Sequence, residues 1–211
     1  MSEEELAQRV WTELLEIVEP FKTGERLNER YSRLWELISS RTSGPEQTSV
    51  LEIGCSTGNF VKWLRNQGYD AIGIDIGENL VQTTESEHVV YGDMTSLEDA
   101  VGDKTFDFVV ANAALNTHTL AAYCLMENGK TPDSFSMTPE TQHLVDATIY
   151  SILKGSFEHL KSGGFFIVTG KIYPKGGIYA SDDLSFSRET AKNIGYDIKQ
   201  YGGSDSILQK P

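Results

Sequence analysis

The stretch Val50-Leu51-Glu52-Ile53-Gly54-Cys55-Ser56-Thr57-Gly58-Asn59-Phe60 runs from strand through turn to helix start within eleven residues. The apolar run up to Ile53 predicts an interior parallel strand. Gly54 and Gly58 permit a tight turn and close backbone approach, and Phe60-Val61-Lys62-Trp63-Leu64 resumes at helical spacing. Open α/β folds bind nucleotides at such junctions, in the crevice outside the carboxyl ends of the strands. A dinucleotide needs a middle glycine there so that backbone N–H groups can approach the pyrophosphate, and Ser56 occupies that place. A carboxylate at Glu52 repels a diphosphate and suits a cationic ligand. Taken alone, Gly-x-x-x-Gly also fits a plain strand-to-helix turn.

Ala71-Ile72-Gly73-Ile74-Asp75-Ile76 is a second apolar strand ending in an acid, and Asp75 lies 21 residues past Gly54. In a strand, helix, strand unit the second strand lies beside the first, so a carboxylate at its end reaches a ribose diol in the same crevice. Dehydrogenases share that feature. Val89-Val90-Tyr91-Gly92-Asp93-Met94 follows, then Thr95-Ser96-Leu97-Glu98, which can begin a short helix with Asp93 as its N-cap or turn residue. Phe106-Asp107-Phe108-Val109-Val110-Ala111-Asn112 reads as a fourth strand.

These segments together resemble the class I S-adenosylmethionine-dependent methyltransferases of small-molecule type. Glu52 with Gly54 and Gly58 is similar to the family's motif I, Val89 to Met94 to its third motif, and Phe-Asp-Phe-Val-Val to the phrase before its substrate-facing loop. The resemblance implies an S-adenosylmethionine site made by Glu52, Gly54, Cys55, Ser56, Gly58, Asp75, Ile76, Asp93, Met94 and the backbone near Asn112. In the family the third-motif acid accepts from the adenine amino group. Enzymes that methylate base nitrogens carry an Asn or Asp followed by Pro-Pro-aromatic after the fourth strand. Asn112-Ala113-Ala114-Leu115 departs from that pattern.

The remaining chain supplies what the resemblance requires. Leu144, Val145, Ile149, Ile152, Leu153 and Phe157 recur helically between Thr141 and Leu160, and Gly163-Gly164 is expected to stop that helix. Phe165 to Thr169 reads as the fifth strand and Phe186 to Ile194 as the last helix. Tyr196 to Tyr201 and Ser206 to Gln209 read as a hairpin through Gly202-Gly203. The expected fold is a three-layer α/β/α Rossmann-like domain, its seven-stranded sheet mostly parallel with an antiparallel C-terminal hairpin.

Residues 1–45 are expected to form a helical cap and linker, and 46–211 the cofactor-binding domain with a lid insertion at about 116–140. Leu6, Val10, Leu14, Ile17 and Val18 mark one amphipathic helix, and Leu27, Tyr31, Leu34, Trp35 and Ile38 a second. In similar methyltransferases such a pair lies over the crevice, and Tyr31 is the candidate to cover a sulfonium by cation–π attraction. Ordinary packing of the helix on the sheet is the other reading of Tyr31.

A formal charge of −13, from 31 acids against 18 bases, makes nucleic acid an unfavourable partner. Two cysteines, Cys55 and Cys124, offer neither a disulfide framework nor metal-ligand spacing, which suits a reducing cytoplasm. No apolar run approaches the roughly 18 residues of a membrane span, and the acidic N-terminus lacks the features of a signal peptide.

A sulfonium methyl is already activated, so a protein of this kind mainly aligns and dehydrates. An acceptor hydroxyl or ammonium also needs a base. His118, in Asn116-Thr117-His118-Thr119 past the fourth strand, is the candidate, a loop histidine without chemical role being the alternative. His143 is a second choice. Catechol-type transfer needs carboxylates at the ends of the fourth and fifth strands, typically with an Asp-Asn pair after the latter, where this chain has Thr169-Gly170-Lys171-Ile172, so no catalytic metal is expected. The insertion carries Leu120, Tyr123, Leu125, Met126, Phe135 and Met137 with few charges, which points to a small organic acceptor. A protein side chain as acceptor, or a non-catalytic protein that binds cofactor and regulates a partner, are the alternatives.

Overall fold

The computed structural model describes residues 25–77, 81, 87–112, 114–115, 139–169, 188–201 and 205–211. Strands β1 (Ser49–Ile53), β2 (Asp70–Asp75), β3 (Val89–Tyr91), β4 (Phe106–Asn112), β5 (Leu160–Thr169), β6 (Asp197–Gln200) and β7 (Asp205–Gln209) form one sheet in the order β3-β2-β1-β4-β5-β7-β6. The first five run parallel, and β7 is antiparallel to both β5 and β6. This is the expected seven-stranded, mostly parallel sheet with an antiparallel C-terminal pair. Its strand order reverses at β1, where chain direction sends β2 to one side and β4 to the other. The carboxyl ends of β1 and β4 therefore border a crevice.

Alternation along the strands divides the apolar residues between two layers. On one face Val50, Phe108, Val110 and Ile167 bury against Tyr31, Leu34 and Ile38 of α1 (Glu25–Ser39) and Phe60, Val61 and Leu64 of α2 (Asn59–Asn66). On the other, Leu51, Ile53, Val109, Phe166 and Leu208 meet α3 (Leu97–Val101), α4 (Pro139–Glu158) and α5 (Arg188–Ile194). No helix among the described residues is long and apolar enough to cross a membrane. The helix expected over Leu6 to Val18 and the lid residues 116–138 lie outside the described residues.

Gly163-Gly164 does not stop α4, which ends at Glu158. Both glycines lie inside β5, where the pairing jumps from Phe106↔Leu160 to Phe108↔Phe165. The extra residues form a bulge, with Gly163 at φ 81 and its N–H donated to the Lys210 carbonyl at 2.9 Å. A Cβ on Gly164 would stand 3.0 Å from the Asp107 carbonyl oxygen. A helix C-cap and a strand bulge demand the same residue for the same conformational reason, so sequence pattern alone chose the wrong one.

At the amino edge of the sheet, Asp107 ties three strands together. Its Oδ2 accepts from Ser49 N, Ser49 Oγ and Lys161 Nζ, each at 2.8 Å. Burial works to raise its pKa, but these hydrogen bonds and the Lys161 charge outweigh it and hold the carboxyl below its ordinary 3.8. A depressed pKa stabilises the fold fully above the unfolded value, and that share disappears as pH falls through the folded value. Asp107→Asn should therefore lower Tm near neutral pH, with the gap to wild type closing as pH drops below 3.8. Thermal scans from pH 7 downward check this, and a gap independent of pH would rule it out.

Candidate functional site

The loop after β1 is shaped by three positive φ angles, at Gly54 (67), Ser56 (53) and Gly58 (68). Gly58 N donates to the Cys55 carbonyl at 3.0 Å and Cys55 N to the Ile74 carbonyl at 3.0 Å, so the turn closes on itself and is also bonded to β2. At two positions close approach leaves no space for a side chain. A Cβ on Gly54 would lie 2.5 Å from Ala114 Cβ, and one on Gly58 would lie 2.3 Å from Val89 Cγ2. Ser56 holds a conformation unusual for a residue with a Cβ. Its N–H donates to Asp75 Oδ2 at 2.7 Å, which holds it there.

Asp75, at the end of β2, also accepts from Gly77 N through Oδ1 at 2.8 Å, so its carboxylate bridges the glycine loop and the chain leaving β2. Ile76 follows and is half-buried. Glu52 lies one strand over, 3% exposed, in register with Gly73 and Val110. Between them Cys55 is buried, and burial first, then the Glu52 and Asp75 charges, pushes its thiol far above the ordinary range. It is a neutral filler, not a nucleophile.

Asp93 serves as a turn residue. Its Oδ1 accepts from Thr95 N and Thr95 Oγ1, both at 2.8 Å, whereas the N-cap of α3 is Ser96. Met94 packs against the core under α3 and α4. Asn112 ends β4, and its Oδ1 accepts from Thr169 Oγ1 at 3.3 Å. Tyr31 of α1 sets its ring on Phe60, centroids 5.0 Å apart, and on Trp63 at 6.3 Å. The structure thus brings Glu52, the glycine loop, Asp75 and Asn112 to one edge of the sheet, with Tyr31 against the first turn of α2. His118 lies outside the described residues.

Three contributors escaped the reading of the sequence. Gly73 faces Cys55, with an added Cβ only 2.6 Å from Sγ, so the loop can sit down on β2 only because that strand has no side chain there. Gly92 plays the same part against Ala100, at 2.5 Å. Asp205 opens β7 beside Thr169 and pairs with Arg33 of α1 at 2.5 Å. Strand phase was the available signal, since Glu52, Gly73, Asp75, Asn112, Thr169 and Asp205 all fall on the α1 side of the alternation.

Comparison with known proteins agrees with this architecture. The profile of a methyltransferase domain family matches residues 23–119, which run from α1 through the glycine loop to just past β4. Residues 23–119 thus carry a match to a methyltransferase domain. Carboxy-S-adenosyl-L-methionine synthase of Campylobacter jejuni is 23% identical over 155 residues, covering 72% of this chain and 56% of that protein. Against the curated relatives it matches, this chain spans 41 to 56% of their length. In fold it is similar to a TehB-like S-adenosylmethionine-dependent methyltransferase of Corynebacterium glutamicum, with TM-score 0.55, 17% identity, and 99% and 98% of the two chains covered. CalS10, an amino pentose methyltransferase of Micromonospora echinaspora, gives TM-score 0.59 at 13% identity, covering 94% and 97%.

The residues present fit the family's cofactor. Two carboxylates flank the glycine loop, Asp75 bonded to Ser56 N at 2.7 Å and Glu52 buried one strand over, a donor set suited to the cofactor's ribose hydroxyls and its ammonium. Among the described residues no group of three or more His, Cys, Asp or Glu side chains is arranged to hold a metal ion.

Proposed function

We propose that this chain catalyses methyl transfer from S-adenosylmethionine to a small organic acceptor. The observation that carries the reading is the pairing of buried Glu52 with Asp75 on either side of a glycine loop that has Ser56 at its middle. When bound, the cofactor supplies a methyl group already activated on a sulfonium. Glu52 offers negative charge to the cationic amino acid end, Asp75 accepts from the ribose diol, and Asp93 with Met94 borders the adenine. Asn112 meets the methionine part, Tyr31 covers the crevice from α1, and His118 takes a proton from the acceptor where one must leave. The chain works without a catalytic metal in a reducing cytoplasm, and nucleic acid is not its partner. CalS10, an amino pentose methyltransferase by name, is in keeping with an acceptor of sugar size.

The match to a carboxy-S-adenosyl-L-methionine synthase favours a second reading, in which the cofactor itself is the molecule modified. Intact-mass analysis of nucleoside recovered after incubation with S-adenosylmethionine and cell extract separates the two.

Calorimetric titration with S-adenosylhomocysteine, run beside NAD, tests the cofactor. Micromolar binding of the former alone is expected. Binding of NAD alone would overturn the reading of Ser56 and Glu52.

A further inference from the structure

The sheet face that carries Glu52 and Asp75 continues as a polar row across three more strands. Asn112 is in register with Thr169, and Thr169 with Asp205. Asp205 is the deepest of the row, its side chain 3% exposed, and Arg33 Nη2 donates to its Oδ2 at 2.5 Å across 172 residues of chain. Arg33 itself is 56% exposed. α1 packs on this face. Beyond its last turn Arg41 lies 5.8 Å over the ring of Phe165, and Leu34 and Ile38 are fully buried along it. Toward the carboxyl edge the contacts that hold it include, among the described residues, the Tyr31 ring on Phe60 and Trp63 and the Arg33 pair.

We propose that Arg33 and Asp205 are positioning residues which hold the crevice end of α1 in place and thereby set how fast the cofactor enters and leaves. Leu34 and Ile38 suffice to dock an apolar helix on the sheet, so docking does not call for a carboxylate buried this deeply, which is an expensive group to desolvate. What the pair adds is a fixed position at the site end. Phe60 sits two residues after Gly58, so a shift of Tyr31 is felt directly at the loop. One partner is half in solvent, which makes the clasp sensitive to salt and able to open without unfolding the apolar anchor.

This inference rests on the cofactor reading above. Stopped-flow mixing with S-adenosylhomocysteine, followed by tryptophan fluorescence, tests it, since Trp35 of α1 and Trp63 of α2 face each other at 6.4 Å. R33Q and D205N should raise the association and dissociation rates together by about fivefold to tenfold, as expected when a local opening step is eased. R33K should keep the wild-type rates. About 0.5 M salt should speed wild type and leave R33Q unaffected, because only an intact ion pair is screened. Unchanged rates in R33Q with a lowered Tm would mean a merely structural pair and overturn the proposal. A change in dissociation alone would mean that Arg33 touches the ligand, and would overturn it too. If wild type bound no S-adenosylhomocysteine, the cofactor reading would fall and take this one with it. Wild-type binding with salt-independent rates would remove the positioning role alone.

Discussion

Gly58→Ala is expected to lower Tm by roughly 5–15 °C and to abolish measurable binding of S-adenosylhomocysteine. Gly58 has φ 68, and a residue with a Cβ loses about 1–2 kcal/mol in that conformation. The new methyl would also stand 2.3 Å from Val89 Cγ2, well inside any real contact. Forcing an extra methyl into packed surroundings costs about 1–3 kcal/mol. Val89 begins β3 and Gly58 caps α2, so the strain pushes β3 away from the end of the cofactor loop. Two controls divide the effect. Gly163 has φ 81 with open space where its Cβ would go, so Gly163→Ala shows the conformational part alone. Gly58→Ala in a Val89→Ala background removes the contact and should recover the steric part. A Gly58→Ala protein as stable as wild type would mean that the loop is not held as described.

How much of this site could be seen in the sequence follows from the range of each interaction. The β1 loop was legible because strand, glycine turn and helix are local, and each writes its own period into adjacent residues. Asp75 was found by spacing, yet its hydrogen bonds to Ser56 N and Gly77 N were not, because a carboxylate that shapes a loop and one that meets a ligand look alike in sequence. Gly73 was passed over as an ordinary strand residue, its meaning depending on Cys55 in the loop that follows the neighbouring strand. The Arg33 and Asp205 pair joins positions too distant for any pattern to connect. Gly163-Gly164 failed for the opposite reason, since the local signal was strong and had two structural meanings. The lid residues 116–138 and His118 lie outside the described residues.

Glu52→Gln should weaken S-adenosylmethionine binding by about 1.5–3 kcal/mol, roughly tenfold to a hundredfold, through loss of a charged hydrogen bond. The same change should leave Tm unaltered or raise it. A carboxylate 3% exposed is costly to bury, and an amide of the same shape carries no charge to desolvate. Falling affinity with steady stability is the signature of a group kept for its ligand, and it separates Glu52 from Gly58, where both should fall together. Comparing two ligands goes further. S-adenosylhomocysteine has the ammonium but lacks the sulfonium charge, so equal losses assign Glu52 to the amino acid end, and a larger loss for S-adenosylmethionine assigns it to the sulfonium. The Cys55 thiol should stay neutral in the variant, since burial is the first cause of its shift and the Glu52 charge only the second. Unchanged affinity for both ligands would remove Glu52 from the site. New affinity for NAD would instead mean that its charge had served chiefly to keep a diphosphate out.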